Sequence, residues 1–247
     1  MKKGWFEANK AQKIFMSMRS ISRNAVRGLI DPESERDVRL KLSSGVEYAW
    51  EADVKGDITE FGTGRRGRTA SYIAYAMQRH GRFKAAPKRL HLFDSFEGMP
   101  KAESAVDRKT PHVLSGAWGE GSCKGITKKR LRSICSKFLP DDKVIIYDGW
   151  FRDTLPKISQ KTKFCLVHID CELYQSAMEV LDHLLGNKMV SEGALVYFYA
   201  FSCNHSSPDY GERKAWKDSI KKYSVNYTDS GEFGWGGRKF VVHSYSK

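Results

Sequence analysis

Short apolar runs alternate with amphipathic stretches along most of this chain. Five runs stand out, at 57–61, 89–93, 143–147, 164–169 and 194–199. Each is a few residues long and rich in apolar side chains, the pattern of strands buried on both faces. Between the first two runs, Ala70, Ile73, Ala74 and Met77 recur at i, i+3, i+4 and i+7. That spacing predicts a helix over 69–80, with Gly81 as its stop. After the fourth run, Leu173, Ala177, Leu181 and Leu184 repeat the logic and end at Gly186. Strands alternating with helices imply an α/β fold with a mostly parallel sheet covered on both sides.

The end of the chain reads differently. Runs at 223–227 and 238–243 are strand-like and flank a glycine-rich stretch at 230–237. They predict an antiparallel hairpin that closes one sheet edge. Ahead of the first strand, charged helical sequence continues to Lys55, with a break at Asp31-Pro32. The expected organisation is an N-terminal helical extension or cap over 1–55 and one α/β domain over 56–247. Within the extension, Phe6, Ile14, Phe15, Met18, Ile21 and Val26 are spaced among basic residues. This stretch, 5–30, reads as a cap packed on the domain or as an amphipathic helix on a membrane surface. No apolar run approaches the roughly 20 residues that span a bilayer. Lys2 and Lys3 are not followed by the apolar core of a secretory signal.

Composition narrows the classes. With 247 residues, 40% of them hydrophobic, the chain can build a substantial core, and disorder is excluded. The net charge of +13 suggests an anionic partner: nucleic acid, a membrane surface, or an acidic or phosphorylated substrate. A basic surface with no such partner is the plainer alternative. The five cysteines form no CxxC pair, so neither a disulfide framework nor a zinc site is expected. A reducing, cytoplasmic location follows from that reading.

The strongest local motif is Glu60-Phe61-Gly62-Thr63-Gly64-Arg65-Arg66-Gly67. It follows a strand and opens a helix, as a Rossmann-like nucleotide fingerprint requires. Gly62 and Gly64 would allow a tight turn against a ligand, and Gly67 close helix packing. Glu60 can face a ligand ammonium, where a pyrophosphate would be repelled. Asp94, at the end of the second strand, can accept from ribose hydroxyls. The competitor is a phosphate loop, with Gly62, Gly67, Arg68 and Thr69 in a P-loop-like order. There Arg replaces the usual Lys, which is no equivalent exchange. The stretch 101–129 has little periodicity and contains Trp118 between small residues; it reads as a lid or as a surface insertion.

Three further segments carry a resemblance. Phe93-Asp94-Ser95-Phe96-Glu97-Gly98-Met99-Pro100, Gly149-Trp150-Phe151-Arg152-Asp153-Thr154-Leu155-Pro156 and His168-Ile169-Asp170-Cys171-Glu172-Leu173-Tyr174 occur in that order. From about Gly56 to Trp216 the chain resembles the macrocin O-methyltransferase (TylF/MycF-type) family. The resemblance implies a Rossmann-like class I methyltransferase sheet, mostly parallel, with the terminal hairpin and the N-terminal extension. It also implies S-adenosylmethionine as cofactor and methyl transfer to a hydroxyl, often of a sugar or natural product. Glu60, Phe61, Gly62, Thr63, Gly64 and Gly67 would hold the methionine part. Asp94 and Ser95 would hold the ribose, and Asp148, Gly149 and Trp150 would sit by the adenine. Asp170 would lie at the reaction centre.

One departure matters. Many family members carry two adjacent carboxylates after the fifth strand, which bind a divalent metal together with the Asp170 equivalent. Here Tyr199 and Ala200 occupy those positions, a poor Mg²⁺ site. No metal is therefore expected. A hydroxyl acceptor still needs its proton removed. Asp170 is the first candidate base; His168, Tyr199 and His205 are the others. The acceptor expected is a small molecule or glycan, and the net charge leaves an anionic one open. Competing readings are a nucleic-acid methyltransferase, a cofactor-binding protein without catalysis, and other chemistry on the same cofactor. A homodimer through the N-terminal segment is a further expectation.

Overall fold

The computed structural model describes residues 32–82 and 87–246. The segment 5–30, read above as cap or membrane helix, lies outside the described residues. The order is α1 (Pro32–Glu51), β1 (Asp57–Phe61), α2 (Arg68–Gly81), β2 (Leu90–Asp94), α3 (Pro111–Leu114), α4 (Lys128–Cys135) and β3 (Val144–Asp148). Then come α5 (Phe151–Thr154), β4 (Phe164–Ile169), α6 (Tyr174–Gly186), β5 (Val190–Phe198), α7 (Gly211–Tyr223), β6 (Asn226–Phe233) and β7 (Gly237–Ser244). The sheet order is β3-β2-β1-β4-β5-β7-β6. The first five strands are parallel, and β7 runs antiparallel to both β5 and β6. The mostly parallel sheet with its terminal hairpin matches the pattern of the sequence.

The two faces hold different side chains because neighbours alternate along each strand. On one face Phe61, Phe93 and Tyr147 stack in a row, with centroids 4.7 and 4.1 Å apart, and Phe198 packs on Trp216 of α7. The other face carries Glu60, His168 and Tyr197, in register across β1, β4 and β5. There α1 buries Val38, Leu42, Val46 and Ala49 in the same core as the sheet. The Tyr197 hydroxyl donates to the Lys41 carbonyl at 3.0 Å. Among the described residues no helix is long and apolar enough to cross a membrane.

The hairpin sits differently from the expected 223–227 and 238–243. Tyr223 is the last residue of α7, and Ser224, with φ 47°, ends that helix. Strand pairing starts at Asn226 and continues into the glycine-rich stretch, pairing Glu232 with Arg238 and Phe233 with Gly237. An irregularity between Asp229 and Glu232 absorbs Ser230-Gly231. Arg238 holds it by reaching both Asp229 (2.7 Å) and Glu232 (2.9 Å). The turn thus shrinks to 234–236.

Strand order reverses at β1: β2 and β3 lie to one side, β4 and β5 to the other. In open α/β sheets the ligand crevice lies beyond the carboxyl ends of the strands at such a point. The Gly62 amide donates to the Phe93 carbonyl, and the Asp170 amide to the Phe61 carbonyl, both at 2.9 Å. Both bonds carry the ladder past the strand ends and place Gly62 beside Asp170.

Candidate active site

Gly62 shows why the loop after β1 needs glycine. Its φ is +81°, and a Cβ there would overlap the Asp170 carbonyl. The next residue ties the loop to β2. The Thr63 amide and hydroxyl donate to one Asp94 oxygen, at 2.8 and 2.7 Å, while the Phe96 amide donates to the other at 2.7 Å. A carboxylate has about four acceptor positions. Asp94 is half-buried and keeps one position for a ligand hydroxyl.

Over these strand ends lies a cavity of about 500 Å³. Gly62, Gly64, Asp94, Ser95, Gly149, Trp150 and Asp170 all line it. That volume suits a cofactor-sized ligand. Phe96, Trp150 and Phe151 add apolar aromatic wall beside Gly149. The lining carries eight carboxylate side chains and three cationic ones. This excess of negative charge sits inside a protein of net charge +13.

Other residues singled out by the sequence stand off the lining. Glu60 does not face the cavity. It is fully buried, and one oxygen lies 3.0 Å from His168 Nδ1, which is equally buried. Both side chains leave the sheet perpendicular to it, under the helices, whereas the cavity lies beyond the strand ends. Among the described residues Glu60 Oε2 and His168 Nε2 have no partner. Phe61 belongs to the aromatic stack, Thr63 acts through Asp94, and Gly67 opens α2. Asp148 is exposed and reaches Lys128 at 3.4 Å instead of the cavity. Tyr199 is half-buried, its ring 6.1 Å from that of His168; burial, then the charge of Asp170, pushes its hydroxyl pKa up. His205 is exposed, in a left-handed turn outside the lining. Of the four candidate bases only Asp170 lines the cavity.

Burial raises the pKa of Asp170 to about 7; Glu60 and Asp94 push the same way, while His168 and Arg68 oppose them. Glu172, also on the lining, is raised well above the carboxylate range by burial and then by Asp170. A carboxyl group with a pKa near neutral can exchange a proton at ordinary pH.

Residues 36–225 match the macrocin O-methyltransferase (TylF) family over most of the chain. The chain belongs to that family. It is an O-methyltransferase, and its cofactor is S-adenosylmethionine. The chain is 30% identical over 195 residues to 8-demethyl-8-(2,3-dimethoxy-alpha-L-rhamnosyl)-tetracenomycin-C 4'-O-methyltransferase of Streptomyces olivaceus, covering 75% of this chain and 70% of that one. It is 24% identical over 181 residues to mycinamicin III 3''-O-methyltransferase of Micromonospora griseorubida, covering 72% and 69%. In fold it resembles the O-methyltransferase NovP, with TM-score 0.68, 21% identity and coverage of 85% and 80%.

The site of this TylF-family enzyme fits its cofactor. Asp94 has an acceptor position left for a ribose hydroxyl, the aromatic wall suits adenine, and the carboxylates suit a cationic sulfur and an ammonium. A divalent metal fits less well. Tyr199 and Ala200 stand where the resemblance places carboxylates. Among the described residues no group of three His, Cys, Asp or Glu is arranged to hold a metal ion.

Several residues of the site escaped the sequence reading. Glu212, in the first turn of α7, is fully buried. One oxygen accepts from the Cys171 and Glu172 amides at 3.0 and 3.1 Å, the other from Ala200 at 2.9 Å. It ties the loop bearing Asp170 to the loop after β5. Asp107 does the same for the segment 101–129: its oxygens accept from the Tyr174 and Gln175 amides at 2.8 and 3.0 Å, capping α6. Trp118 is buried with Met99 and Leu173. The segment forms one wall of the cavity through Lys101, Glu103, Asp107 and Lys124, among others. An acid in a first helical turn is a visible signal for Glu212, but its partners lie 12 to 41 positions away.

Proposed function

We propose that this enzyme methylates a hydroxyl group of a sugar, on a small molecule or glycan, without a metal ion and with Asp170 as general base. The first curated relative supports the acceptor class, since it is named for methylation of a rhamnosyl tetracenomycin. The observation that carries the base is the Asp170 carboxyl: it lines the cavity, and burial lifts its pKa to about 7. S-adenosylmethionine supplies a methyl group on a cationic sulfur. The chain does the rest. Asp94 and Ser95 hold the ribose, the Gly62–Gly64 turn lets the cofactor approach the backbone, and Phe96 and Trp150 exclude water from the adenine. Ionised Asp170 takes the proton of the acceptor hydroxyl at a carboxylate oxygen. Orientation supplies much of the remaining rate, because methyl transfer is an in-line displacement. All five cysteines are free, which supports a reducing compartment such as the cytoplasm. We read 1–55 as an extension whose described part, α1, completes the core of 56–247.

The test is transfer of labelled methyl from S-adenosylmethionine to a panel of deoxysugar glycosides, with Mg²⁺ or with chelator. Turnover is expected on at least one glycoside, equal within about twofold in the two conditions. Strong Mg²⁺ dependence that disappears in Asp170→Ala would overturn the metal-free reading.

A further inference from the structure

Methyl transfer leaves the positive charge of this protein unused. The cavity is acidic, so the excess of cations lies elsewhere. Part of it gathers at the cavity rim in two segments that touch. Gly64, Lys124, Gly125 and Ile126 line the cavity. Gly125 lies so close to Arg65 that a side chain at 125 would collide with the Arg65 backbone. Just beyond, α4 buries Leu131 and Cys135, which turns its basic side outward. The side chains of Arg65, Arg66, Lys124, Lys128, Lys129 and Arg130 are all exposed. Among the described residues only Lys128 of these six has an ion pair, with Asp148. Like charges gathered on two touching segments repel one another, so the arrangement favours an anion from outside.

We propose that this rim binds a phosphate or diphosphate group of the acceptor, so that the sugar hydroxyl enters the acidic cavity from a phosphorylated molecule. The proposal deepens the sugar-hydroxyl reading and rests on it. The interior carboxylates would repel a phosphate, so its place is the rim. Adjacent guanidinium groups present planar donor forks that match phosphate oxygens in pairs. Nucleic acid is a worse occupant, because single strands are held by aromatic stacking platforms as well as by charge. The segments 64–67 and 124–130 contain no aromatic residue.

The experiment is calorimetric titration of the full chain at low salt with inorganic pyrophosphate, uridine 5'-diphosphate, a single-stranded RNA and S-adenosylmethionine. Wild type is compared with the triple variant Arg66→Gln/Lys129→Gln/Arg130→Gln, whose exposed positions leave the core intact. Pyrophosphate and the nucleotide are expected to bind wild type and to weaken at least about tenfold in the variant and in raised salt. S-adenosylmethionine affinity is expected to stay within about twofold. Tighter binding of the nucleotide than of pyrophosphate assigns the phosphate to a nucleotide-linked sugar; equal binding assigns it to a phosphorylated sugar or glycan. Equal pyrophosphate affinity in the two proteins, or none in wild type, overturns the proposal. So does rim-dependent RNA binding with which pyrophosphate does not compete. If wild type fails to bind S-adenosylmethionine, the methyltransferase reading fails instead.

Discussion

Glu212 is the side chain on which the shape of the reaction centre is expected to depend most. Glu212→Ala removes the acceptor of three amides, those of Cys171, Glu172 and Ala200, in a site with no exposure. Each such bond contributes about 1–1.5 kcal/mol net, so the direct loss is roughly 3–4.5 kcal/mol. That is a large share of the roughly 5–15 kcal/mol by which domains are stable. In a chain of this size it lowers the melting temperature by on the order of 10 °C. Glu212→Gln keeps one oxygen for two of the amides but turns its own N–H₂ toward one of the three partners. Its loss is expected to be intermediate, about 1–3 kcal/mol. The assay is urea unfolding at neutral pH followed by near-UV circular dichroism, with S-adenosylmethionine titrations on the folded variants. Both variants should also bind cofactor more weakly, because Asp170 rides on the untethered loop. If Glu212→Ala unfolds within about 0.5 kcal/mol of wild type, the three bonds are not holding the loop and the reasoning fails.

Two further results are expected from the same site. Asp94→Ala removes a charged acceptor from the cavity and from Thr63, and calorimetry should show S-adenosylmethionine bound roughly 10–100-fold more weakly; unchanged affinity would remove Asp94 from the cofactor site. Asp170→Asn should slow methyl transfer about 10²–10⁴-fold. A base must be ionised to act, and the pKa of Asp170 is raised to about 7. The wild-type rate should therefore be full above that pH and fall about tenfold per unit below it. A flat profile between about pH 5.5 and about pH 8 in single-turnover assays would rule out Asp170 as the base.

The sequence by itself determined the five parallel strands and the helices α1, α2 and α6, because each reports its own environment through local periodicity. The four-residue rhythm of Ala70, Ile73, Ala74 and Met77 and the apolar run 164–169 can be read without knowing what packs against them. Motif spacing likewise placed Gly62, Asp94, Gly149 and Asp170 at strand ends, and a parallel sheet gathers all strand ends on one side. Which neighbours of those ends face the cavity was not legible, since the direction of a side chain depends on where the strand stops. Glu60 and His168 are still strand residues and turn into the core; Asp94 and Asp170 lie where the strands end and face the cavity. The start of β6 was read three residues early, at Tyr223 instead of Asn226, because Tyr223 suits a helix end as well as a strand. Only the tertiary structure decided which distant groups meet. Asp107 caps a helix 67 positions later, Glu212 collects amides from two separate loops, and Gly125 packs against the backbone of Arg65. Such contacts leave no period in the chain, because they depend on the path of loops through space and not on the repeat of any one element.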